Sequence, residues 1–192
     1  MFIPCVIAVG SGLGGLAVMR RVLQGLPDDF AGTIVLLMHS ESADVDPIPH
    51  LMQDPGRLHV STVADGMHVS AGHVHVVPRG CHARIRAPGV FEIVGPKQQR
   101  TTRPAIDDLF VSVAATYGNR AIGLVLTGDG SDGTEGARAI GAAGGVSLVQ
   151  SVVDSEHPEM PGSALVGDHP YQCLLIHQIA PTIVAIAQRL AR

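Results

Sequence analysis

The sequence has no Trp, two Tyr and four Phe in 192 residues. Its core must therefore be aliphatic, and a surface that stacks rings on nucleic-acid bases is disfavoured. Positive charge is thin as well: a single Lys, Lys97, accompanies 12 Arg, the formal net charge is −4, and no basic run occurs. Non-specific binding to nucleic acid or to an anionic membrane is disfavoured on that ground, which leaves a protein or a small molecule as partner. Cysteine is scarce. Cys5, Cys81 and Cys173 are odd in number and widely spaced, with no CxxC pair, which fits reduced thiols better than a disulfide framework or a zinc site. No apolar run reaches membrane-spanning length, and the N-terminus lacks the basic segment of an export signal. The expectation is a cytoplasmic protein without membrane insertion; nothing in the sequence specifies an oligomeric state.

Short aliphatic runs are abundant. Pro4–Val9, Thr33–Met38, Ala121–Leu126, Val146–Val149 and Cys173–Ile176 lack period-2 polarity, as strands buried on both faces do. Between them, Val18, Met19, Val22, Leu23 and Leu26 share one helical face, as do Ile106, Leu109, Phe110, Val113 and Tyr117 after Pro104. Proline suits a first helical turn. A last helix is expected to follow Pro181, with Ile183, Val184, Ala187 and Leu190 inward and Arg189 and Arg192 at its negative end. From about 58 to 94 the runs shorten and turns fall at Ala71-Gly72, Arg79-Gly80 and Pro88-Gly89, which reads as inserted antiparallel hairpins. The fold expected is α/β, a mainly parallel doubly wound sheet with helices on both faces and a hairpin region at about 58–94. The length suits a single domain over 1–192.

Three segments follow predicted strands, where ligand chemistry gathers in an open α/β sheet. They are Gly10-Ser-Gly-Leu-Gly-Gly15, Met38-His39-Ser40 and Thr127-Gly-Asp-Gly-Ser-Asp-Gly133. Gly10-x-Gly12-x-x-Gly15 matches the dinucleotide fingerprint, but that reading needs an acidic residue at the end of the second strand. Here the strand ends in His39, and Glu41 comes late. Glycine-rich turns also leave amides free at a helix N-terminus, where a developing oxyanion is stabilised. A His and an Asp beside such a turn are the other parts of a nucleophile-His-Asp hydrolase.

The segments "IAVGSGLGGLAVMRRVL", "LLMH", "VADGMHVSAGHVHVVPRGCHARI", "TTRPAIDDLFVSVA", "LVLTGDGSDGTEGARAI" and "VQSVVDSEHPEMPGSALV" resemble, in order, the blocks of the chemotaxis protein-glutamate methylesterase (CheB) catalytic domain. The resemblance implies a hydrolase of glutamyl methyl esters on methyl-accepting chemoreceptor helices, or on a related signalling protein. It also implies deamidation in many members, a Ser-His-Asp triad, and no cofactor. His39 and Asp132 match the triad His and Asp. Members commonly carry an N-terminal receiver domain, and with the first strand beginning within a few residues of Met1 none is expected here. The family's turn reads Gly-Ala-Ser-x-Gly-Gly; laid on this chain, the nucleophile position is Gly12, flanked by Gly10, Gly14 and Gly15. Ser11 is one position early, and neighbouring side chains diverge, so its use as nucleophile requires a shifted turn. Asp129, beside Thr127, stands where the family usually has Met, and a carboxylate there opposes the charge that develops in ester hydrolysis. The resemblance thus implies an impaired esterase, or a binding module that keeps the cleft.

No metal site is expected. His73 and His75, with His68 and His82 nearby, read as solvated hairpin histidines, and the stretch from Asp129 to Glu135 lacks the full ligand loop of a calcium site. Asp132 also suits an N-cap for the helix beginning near Gly133. Arg103 reads equally as a contact to an acidic receptor segment or as a partner of Asp107 one turn on.

Overall fold

The computed structural model describes residues 5–39, 58–95, 105–168 and 170–191. Seven strands form one sheet: β1 (Val6–Ser11), β2 (Thr33–Met38), β3 (His59–Thr62), β4 (His73–Val76), β7 (Ala121–Val125), β8 (Val146–Gln150) and β9 (Gln172–Leu174). Their order is β3-β4-β2-β1-β7-β8-β9, with every pairing parallel. Five helices are described: α1 (Gly15–Gln24), α2 (Ala105–Tyr117), α3 (Thr134–Ala142), α4 (Glu159–Asp168) and α5 (Ile176–Leu190). The unpatterned aliphatic strands are explained by burial on both faces. Ile7, Val9, Ile34, Leu36, Ile122 and Leu124 meet Val18, Met19 and Val22 of α1 and Ile179 and Ile183 of α5. Val6, Ala8, Val35 and Val125 meet Ile106, Leu109 and Phe110 of α2, Ile140 of α3, and Met160 and Ala164 of α4.

Among the described residues the antiparallel strand pair is β5 (His82–Arg86) with β6 (Val90–Val94), joined through Pro88-Gly89, and His68 adds an isolated antiparallel bridge to Val90. The expected hairpin region was broader; its first part, β3 and β4, pairs in parallel and extends the main sheet. The hairpin is fastened to α2 by polar contacts as well as by Ile85 and Phe91. Arg84 donates from Nε and Nη2 to the buried Asp108 carboxylate at 2.9–3.2 Å, and the Ile85 amide donates to Ser112 Oγ at 2.9 Å.

Nor are the histidines of this region simply solvated. His75 is 1% exposed; its ring stacks on His73 at 5.6 Å between centroids, and His73 meets His59, its partner across β3–β4, at 4.9 Å. His82 is half-buried, 3.2 Å from Asp108. The last helix starts five residues before Pro181, which lies inside α5. Its entry is secured elsewhere: the Ile176 amide donates to Asp154 Oδ2 at 2.6 Å and the Leu175 amide to Gln178 Oε1 at 2.9 Å. Two capped amides in the first turn outweigh the one hydrogen bond Pro181 removes. Arg103, Pro104 and Arg192 lie outside the described residues.

Strand order reverses between β1 and β7. From β1 the chain passes through α1 to β2 on one side, while β7 leads through α3 to β8 on the other. The loops leaving two neighbouring strands to opposite sides open a crevice at their carboxyl ends, the usual ligand position in such sheets.

Candidate active site

The β1–α1 and β7–α3 loops use the same device. Each ends in a left-handed glycine immediately before its helix, Gly14 at φ 76° and Gly133 at φ 95°, a conformation costly to other residues. The two loops are tied by the Gly12 amide, which donates to the Thr127 carbonyl at 2.9 Å. Close approach explains further glycines. A Cβ on Gly10 would lie 2.3 Å from Ile106 Cγ2, and one on Gly15 would lie 2.4 Å from Ser11 Oγ. Thr127 is buried and serves as a junction: its amide donates to Gln150 Oε1 at 2.9 Å, and its Oγ1 accepts from the His157 amide at 2.9 Å.

His39 follows β2 and is held from two directions. Its amide donates to the Ser11 carbonyl at 2.8 Å, and its Nε2 lies 2.6 Å from Asp132 Oδ2. With Nε2–H donating to the carboxylate, Nδ1 is the basic nitrogen. The imidazole is 47% exposed and the carboxylate 11%, so the base meets solvent while its orienting partner is sheltered. Asp132 also accepts from the first turn of α2, from the Ile106 amide at 3.0 Å and the Asp107 amide at 2.9 Å. The cap expected of Asp132 is real but belongs to another helix; the N-cap position of its own helix α3 is Gly133, which has no side chain to offer. Asp107 returns the contact, accepting from the Gly136 amide of α3 at 2.7 Å. Burial raises the Asp107 carboxyl above the usual range, opposed by that hydrogen bond and reinforced by the nearby charge of Asp132.

Gly12 and His39 line a common cleft of about 370 Å³ with Leu13, Leu16, Met38, Val76, Val77, Arg20 and Arg79, and a contiguous space of about 460 Å³ adds Asp129. Gly12 is not in the left-handed region. A Cβ there would meet Gly128 Cα at 3.0 Å and the Asp129 amide at 3.5 Å, so a side chain at this position requires the Gly128 backbone to give by a few tenths of an ångström. Ser11 is placed differently. Its hydroxyl is fully buried, has no hydrogen-bond partner and packs beneath Gly15; it is not bonded to His39.

Asp129 lines the cleft but pairs with His157, Oδ1 to Nδ1 at 3.1 Å, rather than with His39. His157 belongs to the block Val149–Val166, in which no residue has a role at the site on sequence grounds. Glu156-His-Pro-Glu159 brings two carboxylates and an imidazole to the cleft rim, with the Glu156 carboxylate 3.0 Å from where a Gly14 Cβ would stand. The Glu156 carboxylate thus lies beside the N-cap of α1, the positive end of that helix. The signal was the run's acidity in a segment otherwise apolar or small.

Comparison with known proteins agrees with this geometry. The family model described as CheB methylesterase matches residues 7–183. A protein-glutamate methylesterase/protein-glutamine glutaminase of Myxococcus xanthus (strain DK1622) is 34% identical over 97% of this chain and 55% of its own length. One of Moorella thermoacetica (strain ATCC 39073 / JCM 9320) is 32% identical over 94% of this chain and 44% of its own. The chain thus spans about half the length of the curated relatives it matches. The crystal structure of the Thermotoga maritima CheB methylesterase catalytic domain superposes with a TM-score of 0.84 at 25% identity, covering 95% of this chain and 98% of that one. Motif order, sheet topology and these likenesses converge, and the chain belongs to the CheB methylesterase family.

Proposed function

We propose that this domain acts on methylated glutamate side chains of chemoreceptor helices in chemotaxis-type signalling, with hydrolysis impaired because the nucleophile position is Gly12. The observation that carries the reading is the His39–Asp132 pair at 2.6 Å, an oriented base that shares a cleft with Gly12, which bears no hydroxyl. The sequestered, unbonded Ser11 hydroxyl supports loss rather than relocation of the nucleophile. What base catalysis remains runs through water: His39 takes a proton from a water in the cleft as that water attacks the ester carbonyl, and returns it to the departing methoxide, leaving methanol and a carboxylic acid that loses its proton to solvent. The carboxylates of Asp129 and Glu156 oppose the oxyanion in that step.

The test is Gly12→Ser, assayed on a methyl-esterified glutamyl peptide. We expect the natural chain to hydrolyse it slowly and Ser11→Ala to change nothing. Gly12→Ser should raise the rate by on the order of 10²-fold or more, because a serine there meets a base already in place. A folded Gly12→Ser protein with no gain would sink the esterase reading and favour a module that only binds the receptor segment. A rate abolished by Ser11→Ala would return the nucleophile to Ser11.

A further inference from the structure

A second cluster of chemistry-bearing groups lies on the rim of the cleft, outside the His39–Asp132 pair. Asp129, His157 and Glu159 each offer one ligand atom, and the three atoms lie within 4.8 Å of one another. The backbone carrying them is fixed by bonds between two opposed segments. The Gly128 amide donates to the His157 carbonyl and the Met160 amide to the Gly128 carbonyl, both at 2.9 Å, and the His157 amide is held by Thr127 Oγ1. Convergence of the three side chains therefore requires no ordering of a long loop. Charge points the same way. His157 answers Asp129, while the Glu159 carboxylate enters no ion pair among the described residues, and the Glu156 carboxylate stands nearby against Gly14. Within the cluster two acids share one imidazole.

We propose that Asp129, His157 and Glu159 form a binding site for one divalent transition-metal ion, zinc foremost, on the wall of the cleft. The donor set is what separates this from a patch of surface acids. One imidazole nitrogen with two carboxylate oxygens suits zinc and its neighbours, whereas calcium and magnesium prefer all-oxygen shells of higher number. Donors about 2.0–2.2 Å from zinc lie roughly 3–4 Å apart in a tetrahedral shell, so small rotations of two exposed carboxylates close the site. His157, about one-third exposed, supplies the fixed point. Three protein ligands leave a fourth position for water or for a group in the cleft, which Asp129 also lines. Sequence spacing concealed the site, since Asp129 and His157 are 28 residues apart and meet only through the β7 and β8 connections.

The experiment is calorimetric titration of the chelator-treated full chain with zinc chloride, with cobalt(II) absorption as a second readout. We expect one equivalent bound and the intense visible bands of a low-coordinate cobalt site. His157→Ala and Glu159→Gln should each weaken binding by on the order of 10–100-fold, and Asp129→Asn, at an exposed position, serves should either variant fail to fold. His73→Ala should leave the affinity unchanged. Failure to bind one equivalent would overturn the proposal. So would an affinity that ignores His157→Ala and falls with His73→Ala, which would assign the ion to the His59–His73–His75 stack.

Discussion

At the scale of single residues, Asp132 is asked to do two jobs, and substitutions can separate them. One carboxylate orients His39 and satisfies two amides of the first turn of α2. Asp132→Ala leaves both amides without an acceptor and should cost roughly 1–3 kcal/mol in denaturant unfolding, the usual penalty for part-buried donors. Asp132→Asn keeps one oxygen for the helix but presents an amide group to the imidazole. In the Gly12→Ser background it should therefore lower hydrolysis by on the order of 10³–10⁴-fold, as loss of the orienting carboxylate does in serine triads, with a smaller loss of stability. Equal stability losses in the two variants would show that Asp132 is a structural cap alone. His39 and Asp132 were legible in the sequence because each lies in the segment that leaves the carboxyl end of a buried strand. The rim residues Glu156, His157 and Glu159 were not, because the bonds that bring them to Asp129 are backbone bonds between distant loops, which leave no periodicity.

Between elements, the site depends on how closely α2 and α3 approach, since each helix start is capped by an acid from the other's entrance. Gly136 sets that distance. A Cβ there would lie 2.4 Å from Phe110 Cβ and 3.1 Å from Asp107 Cα, atoms with no freedom to move aside. Gly136→Ala gains about 1 kcal/mol of helix propensity but forces the helices apart and weakens the Gly136–Asp107 bond. Overpacking costs of about 1–3 kcal/mol exceed that gain, so the variant should unfold at lower denaturant. Gly141 lies on the same helix, and a Cβ there meets nothing within 4 Å; Gly141→Ala should stabilise by roughly 0.5–1 kcal/mol. Opposite signs for the two substitutions are the readout, and a stabilising Gly136→Ala would place the helices farther apart than described. Elements were legible where burial or turn chemistry was local, as in β1, β2, β7, α1 and the Pro88-Gly89 hairpin. The parallel pairing of β3 with β4 was not, because short strands separated by tight turns read alike whether the chain reverses or crosses over. The start of α5 escaped because the Asp154 cap comes from 22 residues away.

For the whole molecule, the histidine stack makes stability depend on pH. Burial, followed by the neighbouring charges of His73 and His59, lowers the His75 pKa from 6.5 to about 4, and its ring is locked by the Ser70 amide donating to Nε2 at 3.1 Å and by Phe91 edge-on at 5.1 Å. The unfolded chain protonates this residue below its ordinary value while the folded chain does not. The unfolded state then binds more protons between about 6.5 and 4, so stability falls as pH falls through that window. Asp107 acts in the opposite sense, since a carboxyl raised by burial holds its proton more readily in the folded state, which favours folding as pH drops just above the ordinary carboxylate range. The His75 window opens at about 6.5, above the ordinary carboxylate range, so it governs the upper part of the acid limb. Urea unfolding at pH 7 and pH 5 should differ by roughly 1–2 kcal/mol from this residue. His75→Gln keeps an acceptor for the Ser70 amide without the titration, and should shrink that difference while leaving the His39–Asp132 cleft unchanged. A pH dependence that survives the substitution in full would move its origin away from the stack and onto groups at the cleft.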